Sequence, residues 1–484
     1  MAELILSLTQ FESNIYIVSM TIWAPDITQY DGPRYLAIAD ALTADIRARR
    51  LAPGDRLPTH RDLAYRLGVT VGTVTRAYNE AERRGLIGGE VGRGTYVRGD
   101  LARRLPEPFQ AAEVAPQDLI DLSINFPTPL SGDELLAESL RAIAERSGIA
   151  RLMDYHPHAG LAHHREAGAQ WLANFNYHTT ADRIIVTSGG QHAMTAVIGA
   201  LTQPGDIVVT EALTYPGMRR LADFLRLRLH GLPLDQHGID PEALDAACRN
   251  LAPKALYCVT NIHNPLGYTV PESRRREIAE VCRRHGVKIV EDDLYGFLLD
   301  EQPAPLVSFA PELGHYVNSV SKSLCPGLRV GYLAIPPEGQ DAFAQVVRST
   351  TWMATPLTAE IATNWIENGT GLRLVQQHKA EAVARQQMAQ DILGDWEIRA
   401  HRASYHIWLS LPDPWTPDNF ALEARLRNVA VSPAGTFSLT RNSLSGVRLC
   451  LCAPASRDTL RRGLETLATL LRQRPASRAG MGVV

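Results

Sequence analysis

Of the four lysines in the 484-residue chain, Lys254, Lys288, Lys322 and Lys379, only Lys322 stands among residues that suit a phosphate. It lies in Ser319-Val320-Ser321-Lys322-Ser323-Leu324-Cys325-Pro326-Gly327-Leu328-Arg329. An amine forms a Schiff base with an aldehyde, whereas hydroxyls and a guanidinium hold a phosphate. The stretch therefore suits a phosphorylated aldehyde, and arginine cannot replace the lysine in that role. Lys254 precedes an apolar run, Lys288 falls inside one, and Lys379 sits in a polar helical pattern. The plain alternative for Lys322 is a surface-loop lysine.

Elements on either side must position that amine. Apolar residues precede it (Tyr316, Val317, Val320) and follow it (330–335), so the spacing predicts a loop between two buried strands, turned by Pro326-Gly327. Strand-length apolar runs recur at 184–187, 207–210, 255–260, 287–290, 316–320 and 330–335, with helical patterns between them, such as 191–201 and 272–285. This is the alternation of an α/β domain with a largely parallel sheet. Functional groups in such sheets belong at the C-terminal strand ends, and the remaining candidates fall there. Ser188-Gly189-Gly190-Gln191 opens a helix and would admit a phosphate or serve as a plain turn. Tyr215 suits stacking on a pyridine ring or packing in the core. Asn264-Pro265-Leu266-Gly267 is a turn pattern. In Glu291-Asp292-Asp293-Leu294-Tyr295, Asp292 suits either a pyridine nitrogen or a helix cap.

The length calls for two or three domains. Apolar residues make up 45% and charged residues 21%, as in soluble globular proteins. A net charge of −3 restricts any nucleic-acid surface to a local one. The six cysteines follow no disulfide or metal-knuckle spacing, which points to reduced thiols, and Cys450 and Cys452 read as packing. His156, His158, His163 and His164 fit no zinc pattern and read as solvated or cofactor-rim residues, so no metal is expected. No uncharged apolar stretch is long enough to span a membrane. Residues 1–19 lack the basic start of a signal peptide and read as a mis-assigned extension or a disordered arm ahead of Met20.

A local basic surface is found near the start. Residues 30–100 hold 12 arginines against 9 acidic residues. Apolar residues at helical spacing from Tyr35 to Ile46 end at Pro53-Gly54. Thr59 and Asp62 form a capping-box pattern ahead of a helix stopped by Gly68. Thr70 caps a third helix over 71–84, which makes a helix-turn-helix. Gly88 to Gly94 read as a hairpin, or wing, between Leu86-Ile87 and Thr95-Tyr96-Val97. A helical protein-interaction module is the alternative.

The segment from Pro53 to Thr95 resembles the GntR family of winged-helix regulators. It carries Leu57-Pro58-x-x-Arg61-x-Leu63-Ala64, Leu67-Gly68-Val69-Thr70, Thr73-Val74-x-x-Ala77-Tyr78 and Gly92-Arg93-Gly94-Thr95. The resemblance implies DNA contacts from Arg61, Thr70, Thr73 and, in the wing, Gly94. Where the family often has arginine this chain has Val71, followed by Gly72. That removes a guanine reader and leaves the base preference open, with Arg76 as a possible substitute.

From Tyr155 to Arg448 the chain resembles fold-type-I pyridoxal-phosphate enzymes of the aspartate aminotransferase superfamily. The resemblance implies that Lys322 bonds the aldehyde and Asp292 pairs with the pyridine nitrogen. It puts Tyr295 and Asn264 on the ring hydroxyl and Tyr215 on the ring face. Gly190, Gln191, Ser319, Ser321 and Arg329 would hold the phosphate, and Tyr155 would reach the phosphate of the partner in a homodimer. Arg448 would grip the α-carboxylate of an effector or substrate. Leu266 stands where threonine is frequent.

The two together resemble the MocR-type regulators. The fold expected is α/β: an N-terminal winged helix-turn-helix (30–98), a linker (99–119), and a large transferase domain (120–476). That domain would have a mostly parallel sheet with helices on both faces and a smaller C-terminal α+β subdomain. The function expected is a cytoplasmic, dimeric regulator that binds a double-stranded DNA operator and pyridoxal 5'-phosphate and senses an amino compound or the cofactor. The alternative is a working aminotransferase with an auxiliary head.

Overall fold

The computed structural model describes residues 23–28, 30, 32–47, 50–51, 55–83, 86–90, 94–97, 118–129, 133–440 and 444–473. The chain divides into two compact units, 1–111 and 112–484. Pro53-Gly54, Gly85, the wing tip 91–93, most of the linker and the segment 1–19 lie outside the described residues.

In the first unit, α1 (Arg34–Arg47) packs on α3 (Val71–Arg83), with α2 (His60–Leu67) between them in sequence. Val74, Ala77, Tyr78 and Ala81 form the buried stripe of α3 and meet Ile38, Leu42, Leu57 and Leu63 in one core. The Tyr78 hydroxyl donates to the Pro58 carbonyl at 2.9 Å and ties α3 to the approach of α2. At the α2 start, Asp62 N–H donates to Thr59 Oγ1 at 3.2 Å and the Thr59 hydroxyl donates to Asp62 Oδ2 at 2.7 Å. Aspartate is one methylene shorter than the usual partner and takes the cap's hydroxyl rather than its backbone N–H. Gly68, at φ +60°, ends α2 in the left-handed conformation that lets the chain turn into α3. β1 (Ile87–Glu90) and β2 (Gly94–Val97) pair antiparallel as the wing.

The second unit is built on a seven-stranded sheet. Its spatial order is Ile184–Thr187, Gly331–Ala334, Gly314–Ser319, Lys288–Asp292, Ala255–Cys258, Ile207–Glu211 and Arg228–Leu232. Only Gly331–Ala334 runs antiparallel to its neighbours. Successive residues face opposite layers. Ile184, Leu256, Ile289 and Tyr316 pack into one core, and Ile185, Tyr257, Val290 and Val317 into another. Burial on both faces is why these strands are apolar without alternation. The parallel strands end together, and Thr187, Glu211, Asp292 and Ser319 are their last residues.

Lys322 lies in a single helical turn, Val320–Ser323, followed by a 3-10 turn, Pro326–Leu328, rather than in an open loop. A smaller antiparallel sheet (Ile398–Arg399, His406–Ser410, Gly446–Cys450, Ser432–Pro433) packs with the helices Thr370–Leu393 and Arg457–Arg472 in the C-terminal subdomain. Ile120–Asp121 pairs with Val429–Ala430 and so joins the start of this unit to its end. Among the described residues no helix is long and apolar enough to cross a membrane. All six cysteines are free.

Candidate functional site

The strand ends and the C-terminal subdomain bring most of the candidates into one cleft. Asp292 closes its strand fully buried. Its Oδ2 accepts the Tyr257 hydroxyl at 2.7 Å, while its buried Oδ1 has no partner. A bare buried carboxylate oxygen is costly unless a donor arrives. Burial pushes the Asp292 carboxyl up to about 7, against the lowering effect of the Tyr257 hydrogen bond.

Gly189, at φ +87°, opens the helix Gly190–Leu201. A Cβ there would lie 2.6 Å from Arg329 Nη2, so a glycine is what lets the guanidinium lie over the helix start. Arg329 Nη1 donates to Ser321 Oγ at 3.1 Å. Ser319 accepts from the Ser321 N–H at 3.2 Å and caps the lysine-bearing turn. A Cβ on Gly190 would already crowd Leu294 at 3.3 Å and Ser319 at 3.4 Å. Hydroxyls, a guanidinium and a helix N-terminus thus converge as a phosphate site requires.

Tyr215 turns its hydroxyl toward Gln191 Oε1 at 3.4 Å. A Cβ on Gly217 would fall 2.2 Å from the Tyr215 ring, so this glycine sets the ring's place. Asn264 Oδ1 accepts from Arg448 Nη1 at 2.7 Å, and Arg448 Nη2 donates to the Ser123 carbonyl at 2.5 Å. The Arg448 guanidinium also lies 4.8 Å from the centre of the Phe437 ring. Its Nε is buried without a partner.

The Lys322 amine donates to the carbonyl of Asn125. Burial, with Arg448 and Arg329 acting the same way, lowers its pKa to about 8. Asn125 is a residue that sequence reasoning missed. Its amide donates to the Tyr295 hydroxyl at 2.8 Å and to His406 Nδ1 at 3.2 Å. His406 Nε2 in turn donates to the His263 carbonyl at 3.1 Å, which makes this imidazole neutral; burial holds its pKa at about 3. Because Tyr295 accepts from Asn125, its own proton remains for another acceptor. The only sequence signal for Asn125 was an asparagine ahead of Phe126-Pro127. Tyr257 gave no signal, being one residue of an apolar strand.

Tyr155 stands apart from this cluster. It is 82% exposed and its ring lies 5.6 Å from that of Trp352. The reading of the histidines as solvated needs correction at His164, while His163 is exposed. His164 is buried, and it and His163 each place Nε2 2.8 Å from Oε2 of Glu360. Arg146 binds the other carboxylate oxygen. These hydrogen bonds, led by that of His164, hold Glu360 down at about 2. The sequence offered no such partner because Glu360 lies 196 residues from His164. With the Arg146 guanidinium on the same carboxylate, the cluster is a hydrogen-bonded network around one ion pair. In the first unit Arg61, Thr70 and Arg76 are exposed and Thr73 is half-buried. Thr70 and Thr73 share a hydroxyl hydrogen bond of 2.9 Å, and Gly94 opens β2.

The fold and the cleft define an aminotransferase-type domain. The chain belongs to the aminotransferase class I and II family, whose model matches residues 117–467. Residues 34–97 match the gntR family of bacterial regulatory proteins. The HTH-type transcriptional regulator YdeF of Bacillus subtilis is 29% identical over 451 residues, 93% of this chain and 96% of its own. The HTH-type pyridoxine biosynthesis transcriptional regulator PdxR of Corynebacterium glutamicum is 27% identical over 352 residues, 71% of this chain and 75% of its own. The crystal structure of LysN, an alpha-aminoadipate aminotransferase from Thermus thermophilus complexed with N-(5'-phosphopyridoxyl)-L-leucine, covers 74% of this chain and 92% of its own. Its TM-score is 0.68 at 22% identity, a likeness of fold. A gntR head joined to an aminotransferase domain is the arrangement of the MocR-type regulators. The cofactor indicated is pyridoxal 5'-phosphate. The residues present fit it: an amine, an unpartnered buried carboxylate oxygen, and a glycine-lined cradle under a guanidinium.

Proposed function

We propose that this protein is a pyridoxal-phosphate-dependent, DNA-binding transcription regulator that senses an amino compound, or the cofactor itself. The observation that carries the reading is the presence, in one chain, of a gntR-type head and an aminotransferase-type cleft with its lysine, carboxylate and arginine in place. Residues 30–98 form the head, 99–119 the linker and 120–476 the sensing domain. We place the protein in the cytoplasm, where its operator is, as a homodimer.

In this reading Lys322 bonds the aldehyde and Asp292 Oδ1 takes the pyridine N–H. Tyr295 and Asn264 take the ring hydroxyl, and Tyr215 stacks on the ring. Gly190, Gln191, Ser319, Ser321 and Arg329 hold the phosphate, with Tyr155 reaching the phosphate of the second subunit. Arg61, Thr70, Thr73, Arg76 and Gly94 contact DNA. When bound, the cofactor supplies an aldehyde carbon that the lysine or an incoming amine can occupy. Held near 8, the Lys322 amine is partly unprotonated at neutral pH, which suits it to exchange. Arg448 would hold the carboxylate of an incoming amine, and Lys322 would be the group that such an amine competes with. The linker passes the resulting change to the head.

Such coupling is typically about 1–3 kcal/mol, or roughly 5- to 150-fold in operator affinity. Operator titrations of the full-length protein should therefore shift when cofactor or an amine from a panel is added. The second reading, an aminotransferase with an auxiliary head, is favoured by the same lysine and by Arg448. It takes over if operator binding ignores every compound while the protein transaminates amino acids at ordinary enzyme rates.

A further inference from the structure

Val71 opens α3, the second helix of the helix-turn-helix, and is 44% exposed. A single exposed valine is ordinary; its place makes it informative. The first turn of this helix is the part that faces base edges when a helix-turn-helix enters the major groove. Val71, Gly72, Arg76 and Asn79 make up the exposed side of α3, opposite the buried Val74, Ala77, Tyr78 and Ala81. Gly72 has no side chain, and a Cβ there would meet only Thr70 Oγ1, at 3.8 Å. Beside the valine the helix backbone can therefore come close to a base pair.

The neighbouring hydroxyls already hold partners, which leaves Thr70 and Thr73 only their remaining capacity for a DNA contact. Thr70 and Thr73 bond each other at 2.9 Å, and the Thr73 N–H donates to Thr70 Oγ1 at 3.2 Å as the helix cap. The Thr75 hydroxyl donates to the Val71 carbonyl at 3.0 Å and meets His60 Nδ1 at 3.1 Å. What this turn presents is an apolar step, and Arg61 on α2 and Arg76 further along α3 are both exposed. Exposed guanidiniums suit backbone phosphates. The only apolar group on a base edge in the major groove is the thymine methyl.

We infer that Val71 reads thymine: its side chain packs on the C5-methyl of a thymine in each operator half-site, with Gly72 giving the clearance. This rests on the DNA-binding reading above. The base choice is made by contact rather than by hydrogen bonds, so it depends on one methyl group.

The test uses duplexes enriched by the full-length protein from a random pool, with each thymine exchanged in turn for deoxyuridine, which lacks only the methyl. One position per half-site should lose about 4-fold in affinity, the equivalent of one buried methylene-sized group. In Val71→Ala, a surface change that leaves the core intact, that loss should shrink to under about 2-fold. The other thymine positions should behave as in wild type. Wild-type binding indifferent to every exchange, or an undiminished methyl effect in Val71→Ala, overturns the inference alone. A protein that enriches no duplex overturns the DNA-binding reading as well.

Discussion

Tyr257 and Asp292 divide one carboxylate between them and a future ligand. The Tyr257 hydroxyl donates to Oδ2 at 2.7 Å, and Oδ1 is left buried without a partner. The tyrosine sits on the neighbouring strand, where Glu291 pairs with Cys258 and Val290 with Tyr257. The two side chains meet because Asp292 lies two residues beyond Val290, the partner of Tyr257, and residues two apart on a strand share a face.

This carboxylate gives the cofactor-free protein a definite pH dependence. Asp292 rises from 3.8 to about 7 on folding, so the folded state binds the proton more tightly. Its contribution is fully present below about 4 and is lost as pH rises toward 7, by at most about 1.4 kcal/mol per unit. Glu211, pushed by burial to about 7, acts with the same sign. Thermal melts of the cofactor-free protein between pH 5 and 7 should fall with rising pH and be flatter in Asp292→Asn. Parallel curves for the two proteins would refute the assignment.

Lys322→Ala should abolish the visible absorbance of the cofactor-loaded protein and its trapping by borohydride. The fold should hold, because among the described residues the amine meets only the Asn125 carbonyl and the face of the Phe126 ring, and its loss empties no hydrophobic core. Absorbance after borohydride treatment, with circular dichroism as the control, checks both. A retained reducible adduct would assign the chemistry to another of the four lysines.

Gly189→Ala sets a Cβ 2.6 Å from Arg329 Nη2 at a backbone φ of +87°. The guanidinium must move, and a charge-assisted hydrogen bond to phosphate is worth about 1.5–3 kcal/mol. Pyridoxal phosphate should bind roughly 10- to 100-fold more weakly, with little change for pyridoxal. Equal losses for both ligands in fluorescence titrations would place the defect elsewhere than at the phosphate.

Arg448→Ala should remove the response of operator binding to carboxylate-bearing amines by about 10-fold or more. It also strands Asn264 Oδ1, which accepts from Nη1 at 2.7 Å. The response to cofactor alone should persist. Amines with and without a carboxylate, titrated in parallel, make the comparison. An unchanged preference for the carboxylate would exclude Arg448 as its anchor.

Local chemistry made much of this legible before any fold was known. The scarcity of lysine singled out Lys322, apolar runs marked the strands, and Thr59, Gly68 and Thr70 marked the turns of the head. Strand ends then pointed to Asp292, Asn264 and Tyr215. Each of these signals sits within a few residues of its cause, because caps, turns and strand periodicity are local effects.

Tertiary structure decided what no local pattern contains. Asn125 serves Lys322, Tyr295 and His406 from 197, 170 and 281 residues away. Tyr257 reads as one more apolar residue until the sheet register sets it on Asp292. Glu360 draws His164, which looked solvated, into a hydrogen-bonded network that the exposed His163 shares. The sequence by itself determined which groups could do the chemistry and that they stand at strand ends. The packing of the small subdomain on the sheet decided which atoms are partnered and which are left bare, because hydrogen bonds and burial depend on distance in space and not along the chain.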